Sequence, residues 1–345
     1  MPKKKSGEIA LQYCIEDRYS PTLTLAKKLH EDHPNLYKTP EVARTFVRDY
    51  RGEKKGKYYQ GKTYPQLSPK SLTVGSVHQN IKEMPTNARV LVLDIETAPL
   101  RCYTWGIWQQ NIAPLDQIIT DWFILCWSAK WLFGEKIISA KLTKEELASE
   151  DDTRILKKMW QLLEQADIVI THNGDRFDLP KINTRMLING LKPTMPYQSI
   201  DTCKALKRKF SFTSNKLDFA CMKLGLRRKM DTGGFELWEK VANGNMKALK
   251  DMAKYCNNDV LCLEELYLFI RPWINPHPNM GLFITEDVCS CPNCGGQSLT
   301  ETGGKYRTQI SEFTATRCDN CGAIGRVRKA WNTGLNKNLT VSIAR

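Results

Sequence analysis

Two uninterrupted apolar runs, Val90-Leu91-Val92-Leu93 and Ile168-Val169-Ile170, read as strands buried on both faces. Further strands are expected around Phe123 to Trp127 and Ile137 to Leu142, with a helix from Thr153 to Gln165. From Asn245 to about Phe269, Leu249, Met252, Cys256, Val260 and Leu263 recur every three or four residues, which predicts a long helix. Apolar positions between Ile9 and Ile15, then Leu25, Ala26 and Leu29, predict two short helices nearer the start. A third opens at Thr39-Pro40-Glu41, with Thr39 as N-cap and Pro40 in the first turn. Its periodicity puts Val42, Phe46, Val47 and Tyr50 toward a core and Arg44, Arg48 and Arg51 outward. From Gly52 to about Glu83 the chain is rich in Lys, Gly, Gln, Ser and Pro without a period, as in a linker.

The chemistry sits at the ends of these elements. Asp94 follows the first apolar run, and Glu96, two residues on, projects to the same side of an extended chain. Two carboxylates so placed either bond to backbone amides of a loop or repel each other unless a cation lies between them, and hard oxygen ligands suit Mg²⁺ or Mn²⁺. The second run breaks into His172-Asn173-Gly174-Asp175-Arg176-Phe177-Asp178, where Gly174 permits a turn and Asp178 opens a helix. On the long helix Tyr255 and Asp259 are four apart, so a phenol and a carboxylate share one face.

At these residues the chain resembles the DEDD superfamily of 3′ to 5′ exonucleases, in the tyrosine-bearing subclass that includes the proofreading domains of family B DNA polymerases. The family signatures D-x-E, N-x-x-x-F/Y-D and Y-x-x-x-D appear in order as Asp94-Ile95-Glu96, Asn173 with Phe177-Asp178, and Tyr255 with Asp259. Asp201-Thr202 and Lys216-Leu217-Asp218-Phe219-Ala220 resemble the stretch between the second and third signatures. The resemblance covers roughly residues 89 to 275. It implies a ribonuclease H-like α/β fold: a mixed sheet of three antiparallel strands and a parallel one, with flanking helices. It also implies two divalent ions, Mg²⁺ or Mn²⁺, held by Asp94, Glu96, Asp178 and Asp259, with Asn173 and Phe177 near the nucleic acid. Tyr255 is assigned to positioning water, since a free phenol of pKa about 10 is a poor base.

Lys and Arg number 51 against 37 Asp and Glu, a net charge of +14 that suits a polyanionic partner. DNA with single-stranded 3′ ends is the expected substrate, RNA the alternative, and a replicative polymerase a candidate partner. No apolar stretch is long enough to span a membrane, and Met1-Pro2-Lys3-Lys4-Lys5 lacks the apolar core of a signal peptide, so a cytoplasmic protein is expected. Among 12 cysteines, Cys291-Pro292-Asn293-Cys294 and Cys318-Asp319-Asn320-Cys321 form two C-x-x-C pairs, each followed by Gly. This is the pattern of a zinc ribbon holding one Zn²⁺; without an export signal, two disulfides are the weaker reading.

The expected organisation is therefore residues 1–55 as a helical module resembling a helix-turn-helix, with Arg44, Arg48 and Arg51 either on DNA or simply solvated. Residues 56–88 form a basic linker, 89–275 the ribonuclease H-like domain, and 276–345 the zinc ribbon with a basic tail. The expected activity is metal-dependent 3′ to 5′ exonuclease action in DNA replication or repair. A structure-specific endonuclease of resolvase or transposase type and a non-catalytic nucleic-acid-binding adaptor are the alternatives. In the insert Tyr103-Thr104-Trp105-Gly106-Ile107-Trp108, the aromatics are expected to pack as a lid, with base stacking the other option.

Overall fold

The computed structural model describes residues 2–16, 22–51 and 86–330. The chain forms two compact units, Met1–Lys70 and Ser71–Arg345. Most of the expected linker, residues 56–85, lies outside the described residues.

In the first unit, α1 (Pro2–Glu16), α2 (Thr22–Asp32) and α3 (Pro40–Arg51) pack around Ala10, Cys14, Leu25, Leu29, Ala43 and Val47. The Thr39 hydroxyl accepts from the Val42 amide at 3.3 Å, as an N-cap does. One expectation fails here: Val42 is 41 % exposed, because Ala43 and Val47, four apart, take the inward stripe. Phe46 is half-buried against that core. Arg44 and Arg48 are also half-buried, and Arg44 pairs with Glu41 at 3.4 Å. The side chains of Tyr50 and Arg51 lie outside the described residues.

The second unit is built on a five-stranded mixed sheet of order β5-β4-β1-β6-β7. Its strands are β1 (Val90–Thr97), β4 (Ile124–Trp131), β5 (Ile137–Lys141), β6 (Ile168–Thr171) and β7 (Gln198–Asp201). A separate ribbon pairs β2 (Arg101–Cys102) with β3 (Ile118–Thr120). Strand β1 runs antiparallel to β4 and parallel to β6, and β6 is parallel to β7. This is a ribonuclease H-like sheet, with one strand, β7, that the hydrophobic pattern did not announce.

Both faces of β1 are buried, which explains its continuous apolar run. Leu91 and Leu93 join one core cluster, Val90 and Val92 the other. The first cluster packs under α6 (Thr153–Leu163) and α7 (Asp178–Ile188). Helices α8 (Thr202–Lys209) and α9 (Leu217–Leu224) cover the second. The long helix α11 (Met246–Ile270), capped by the Asn245 side chain, contributes Leu249, Met252 and Cys256 to the first and Val260 and Leu263 to the second. It therefore lies across β1 and brings its polar residues to that strand's end. The chain also forms the short helices α4 (Pro114–Gln117), α5 (Lys144–Ser149) and α10 (Glu236–Ala242). Beyond α11, the antiparallel strands β8 (Leu299–Arg307), β9 (Glu312–Cys318) and β10 (Ile324–Arg326) carry the second cysteine pair.

Candidate active site

One carboxylate oxygen from each of Asp94, Glu96 and Asp259 lies within 4.8 Å of the others. Asp94 and Glu96 alternate with the buried Ile95 on β1, so the pleat of the strand puts both on one side. Asp259 reaches them from α11 and is 1 % exposed. Asp178, the first residue of α7, is also buried, and its Oδ1 accepts the Ile95 amide at 3.2 Å. It sits against the backbone between the first two acids and outside the 4.8 Å trio.

Such crowding has an electrostatic cost. Burial, then the charges of Asp178 and Asp259, hold the Asp94 carboxyl well above the ordinary aspartate value. Glu96 is raised by burial first, then by Asp94 and Asp259. Burial likewise brings Asp178 up to about 7, against the pull of the Ile95 amide. Clustered, desolvated acids of this kind favour a bound cation.

The donor set fits a hard divalent ion. Asp259 Oδ2 accepts from Lys229 Nζ at 2.5 Å, while its Oδ1 is buried without a hydrogen-bond partner and remains an open ligand atom. Three carboxylates on hard oxygen atoms suit Mg²⁺ or Mn²⁺ rather than a soft metal.

Sequence reasoning missed Lys229. Its ammonium also donates to the Tyr255 hydroxyl at 2.8 Å and brings one positive charge to the acids. The loop that carries it is held by Asp218 of the K-L-D-F-A segment, which takes both Arg228 Nε and Nη2 at 2.6 Å and the Lys229 amide at 3.1 Å. Asn258 Nδ2 grips the same loop through the Arg228 carbonyl at 2.9 Å. The only hint in the sequence was three consecutive cations, Arg227-Arg228-Lys229, soon after the helix-ending Gly225.

Tyr255 lies one turn before Asp259, with its ring edge-on to Trp238 at 6.2 Å. Burial and the Asp259 charge raise its hydroxyl above the ordinary phenol value, which fits positioning rather than proton abstraction. In the second motif the turn is made differently from expectation. Asn173, not Gly174, takes the left-handed conformation (φ 65), while a Cβ on Gly174 would meet Thr171 at 2.3 Å. Gly174 is needed for close approach. The turn is held by Asp201, whose Oδ1 accepts the Asn173 amide at 2.8 Å and the Cys203 amide at 2.9 Å. His172 is bound to Thr202 and the Asn215 carbonyl, and burial lowers it to about 4; it is a support of the loop. Phe177 is 39 % exposed, with the Lys181 ammonium over its ring at 5.1 Å.

The insert after β2 does not pack as a lid. Tyr103, Trp105, Ile107 and Trp108 are between 71 % and 95 % exposed.

Farther along, Cys291, Cys294, Cys318 and Cys321 bring one sulfur each within 4.8 Å of the others, and all four are buried and free of disulfides. Two of the sulfur pairs lie 3.7 and 3.6 Å apart. Sulfurs about 2.3 Å from a tetrahedral zinc would be separated by about 3.8 Å, so the site fits that metal. The Gly296 amide donates to Cys294 Sγ at 3.4 Å, and Gly295 and Gly322 adopt positive φ to turn each pair back. Cys289 is exposed and outside the cluster.

The match to a family model agrees with the fold. Residues 130–270 match a family of the RNase_H superfamily, and the chain has an RNase H-like nuclease fold. Among solved structures, the family B DNA polymerase from the hyperthermophilic archaeon Pyrobaculum calidifontis is similar at 16 % identity, with a TM-score of 0.36. The similarity covers 52 % of this chain and 24 % of the polymerase. No curated protein matches the chain. Among the described residues no helix is long and apolar enough to cross a membrane.

Proposed function

We propose that the chain is a metal-dependent 3′ to 5′ exonuclease acting on single-stranded DNA ends, in replication or repair. The observation that carries this reading is the convergence of Asp94, Glu96 and Asp259 within 4.8 Å, with Asp178 bonded to the backbone between the first two and Tyr255 one turn from the third. Asp94, Glu96 and Asp259 would hold one divalent ion and Asp178 would reach a second; such a pair makes water nucleophilic near neutral pH and neutralises charge on the attacking and leaving oxygens. Tyr255 orients the attacking water, and Lys229 holds the phenol in place at 2.8 Å. Asn173 and Phe177, at the mouth of the second motif, lie along the path of the nucleic acid.

The phenol also favours exonuclease over resolvase-type action, which has no need of it. The exposed Trp105 and Trp108 offer π-faces to unpaired bases, each stack worth about 1 to 3 kcal/mol. One Zn²⁺ on Cys291, Cys294, Cys318 and Cys321 would be separate from the catalytic ions. The basic residues around it, including the exposed Arg317, Arg326 and Arg328, and Arg44, Arg48 and Arg51 of the first unit, are candidate backbone contacts. A polymerase working in trans is a candidate partner, and RNA the alternative substrate.

The test is digestion of 5′-labelled single-stranded, duplex and circular DNA and RNA in Mg²⁺ or Mn²⁺. The expected result is a ladder from single-stranded linear DNA that disappears in Asp94→Ala. Cleavage of circles would make it an endonuclease, and no cleavage of any substrate would favour the adaptor.

A further inference from the structure

Just past the end of α11, the chain meets the cysteine cluster at a buried cation. Arg271 has no exposed surface, and its Nε and Nη1 have no hydrogen-bond partner. Among the described residues no carboxylate forms an ion pair with it. A guanidinium cannot shed its proton in a protein, so burying one unpaired is expensive.

The groups around it explain why it is tolerated. Burial raises the Tyr267 hydroxyl, the Arg271 guanidinium lowers it through its charge and a side-chain hydrogen bond, and the thiols of Cys294 and Cys321 raise it. The Tyr267 hydroxyl is 3.0 Å from His277 Nε2, and the two rings stack at 24°. From the cysteine side, Asn293, between the first two cysteines, donates Nδ2 to the Arg271 carbonyl at 2.8 Å and to the Ile274 carbonyl at 3.2 Å. The Met280 amide donates to the Pro292 carbonyl at 2.8 Å. The knuckle is thus tied to the end of the helix that carries Tyr255 and Asp259.

Four thiolates around one divalent metal carry a net charge of two minus. We propose that Arg271 is the buried counter-charge of this metal centre, so that loading the cysteines and seating the last turn of α11 are one event. The proposal rests on the zinc reading above. It also implies that the ribbon is not a detachable module: removing it leaves Arg271 buried among apolar groups with no balancing charge.

The experiment compares full-length wild type, Arg271→Met and Arg271→Lys. Zn²⁺ affinity is measured by competition with a chromogenic chelator, and thermal stability is measured with and without the metal. Arg271→Met is expected to weaken Zn²⁺ binding by about ten- to hundredfold, as loss of an outer partner of a metal site does, while raising the melting temperature of the metal-free protein. Arg271→Lys, which keeps the charge, should stay nearer wild type. A residue that only packs would lower the melting temperature with and without metal and leave affinity unchanged, and that outcome overturns the proposal. Should Arg271→Met not fold, amide exchange on the wild type decides. Stripping zinc is expected to lower protection at residues 266–274, and unchanged protection overturns the proposal. A wild-type protein that binds no Zn²⁺ refutes the zinc reading itself, whereas tight Zn²⁺ binding in all three proteins refutes only the role of Arg271.

Discussion

Asp178→Asn is expected to abolish hydrolysis and yet stabilise the metal-free protein at alkaline pH. The substitution keeps the shape and keeps an oxygen to accept the Ile95 amide, so the backbone bond at 3.2 Å survives. What changes is charge. Burial brings the Asp178 carboxyl up to about 7 from an ordinary 3.8. A group whose folded pKa is raised takes up protons on folding between those two values, so stability falls as pH rises through that window. At about 1.4 kcal/mol for each tenfold change in proton affinity, the gap costs the ionised, metal-free protein about 4 kcal/mol above pH 7. Below about pH 4 it costs nothing.

Asparagine removes that penalty. In urea melts with a chelator present, the variant should gain stability over wild type at pH 8 by up to about 4 kcal/mol and lose the advantage toward pH 4. Adding Mn²⁺ at pH 8 should reverse the order, because the wild-type acids then have a cation to face and the variant has lost one of them. A variant less stable than wild type at pH 8 without metal, or a gain of equal size at both pH values, would refute the electrostatic reasoning.

Tyr255→Phe should slow hydrolysis by about ten- to hundredfold, the worth of one charge-assisted hydrogen bond of about 1.5 to 3 kcal/mol, with the Mn²⁺ concentration for half-maximal rate unmoved; a shift in metal demand would show a ligand role instead. Lys229→Met leaves the carboxylates without their cation and should destabilise the chelator-treated protein at pH 8 by about 3 to 5 kcal/mol, a loss that shrinks when Mn²⁺ is added. A loss of equal size with and without Mn²⁺ would mean that Lys229 acts through packing. Asp152 is fully buried and accepts from Arg185 at 2.7 and 2.8 Å and from the Ile124 amide at 2.9 Å. Asp152→Ala should therefore cost about 3 to 5 kcal/mol in urea melts, and here the cost should be the same with and without Mn²⁺.

What the sequence made legible was local. The strands β1 and β6 showed as apolar runs because both their faces are covered, and α11 showed because its buried residues return every three or four positions. The three acidic motifs were visible because each ends or starts such an element. What stayed hidden depends on partners far along the chain. Strand β7, Gln198-Ser199-Ile200-Asp201, carries one aliphatic side chain and is held by backbone bonds to β6, so no alternation betrays it. Lys229 reads as one of three surface cations until the fold sets it against Tyr255 and Asp259, and Arg271 reads as an ordinary basic residue just past a helix end. Val42 and Ala43 are both apolar, and only the packing of α3 decides which of them turns inward.

The placement of Asp259 depends on a register that none of the motifs states. Along α11, Cys256 Sγ donates to Asp94 at 3.4 Å, Asn257 Oδ1 accepts from the Ser128 hydroxyl at 2.6 Å, and Glu264 takes both hydrogen bonds from Lys130 Nζ at 2.6 Å. Ser128 and Lys130 stand on β4 opposite Asp94 and Val92 of β1. These bonds join helix to sheet at three points along α11. Sliding the helix by one residue would turn each side chain by about 100° and break all three at once. The buried Lys130–Glu264 pair is weak evidence for net stability, since burying both charges offsets much of their attraction. Its effect is on uniqueness: the slipped arrangement would leave both charges buried and unpaired, whereas the native one brings Asp259 to Asp94 and Glu96. A chain that must hold mutually repelling carboxylates together cannot rely on apolar packing alone, because a hydrophobic face tolerates small slips that such a site would favour.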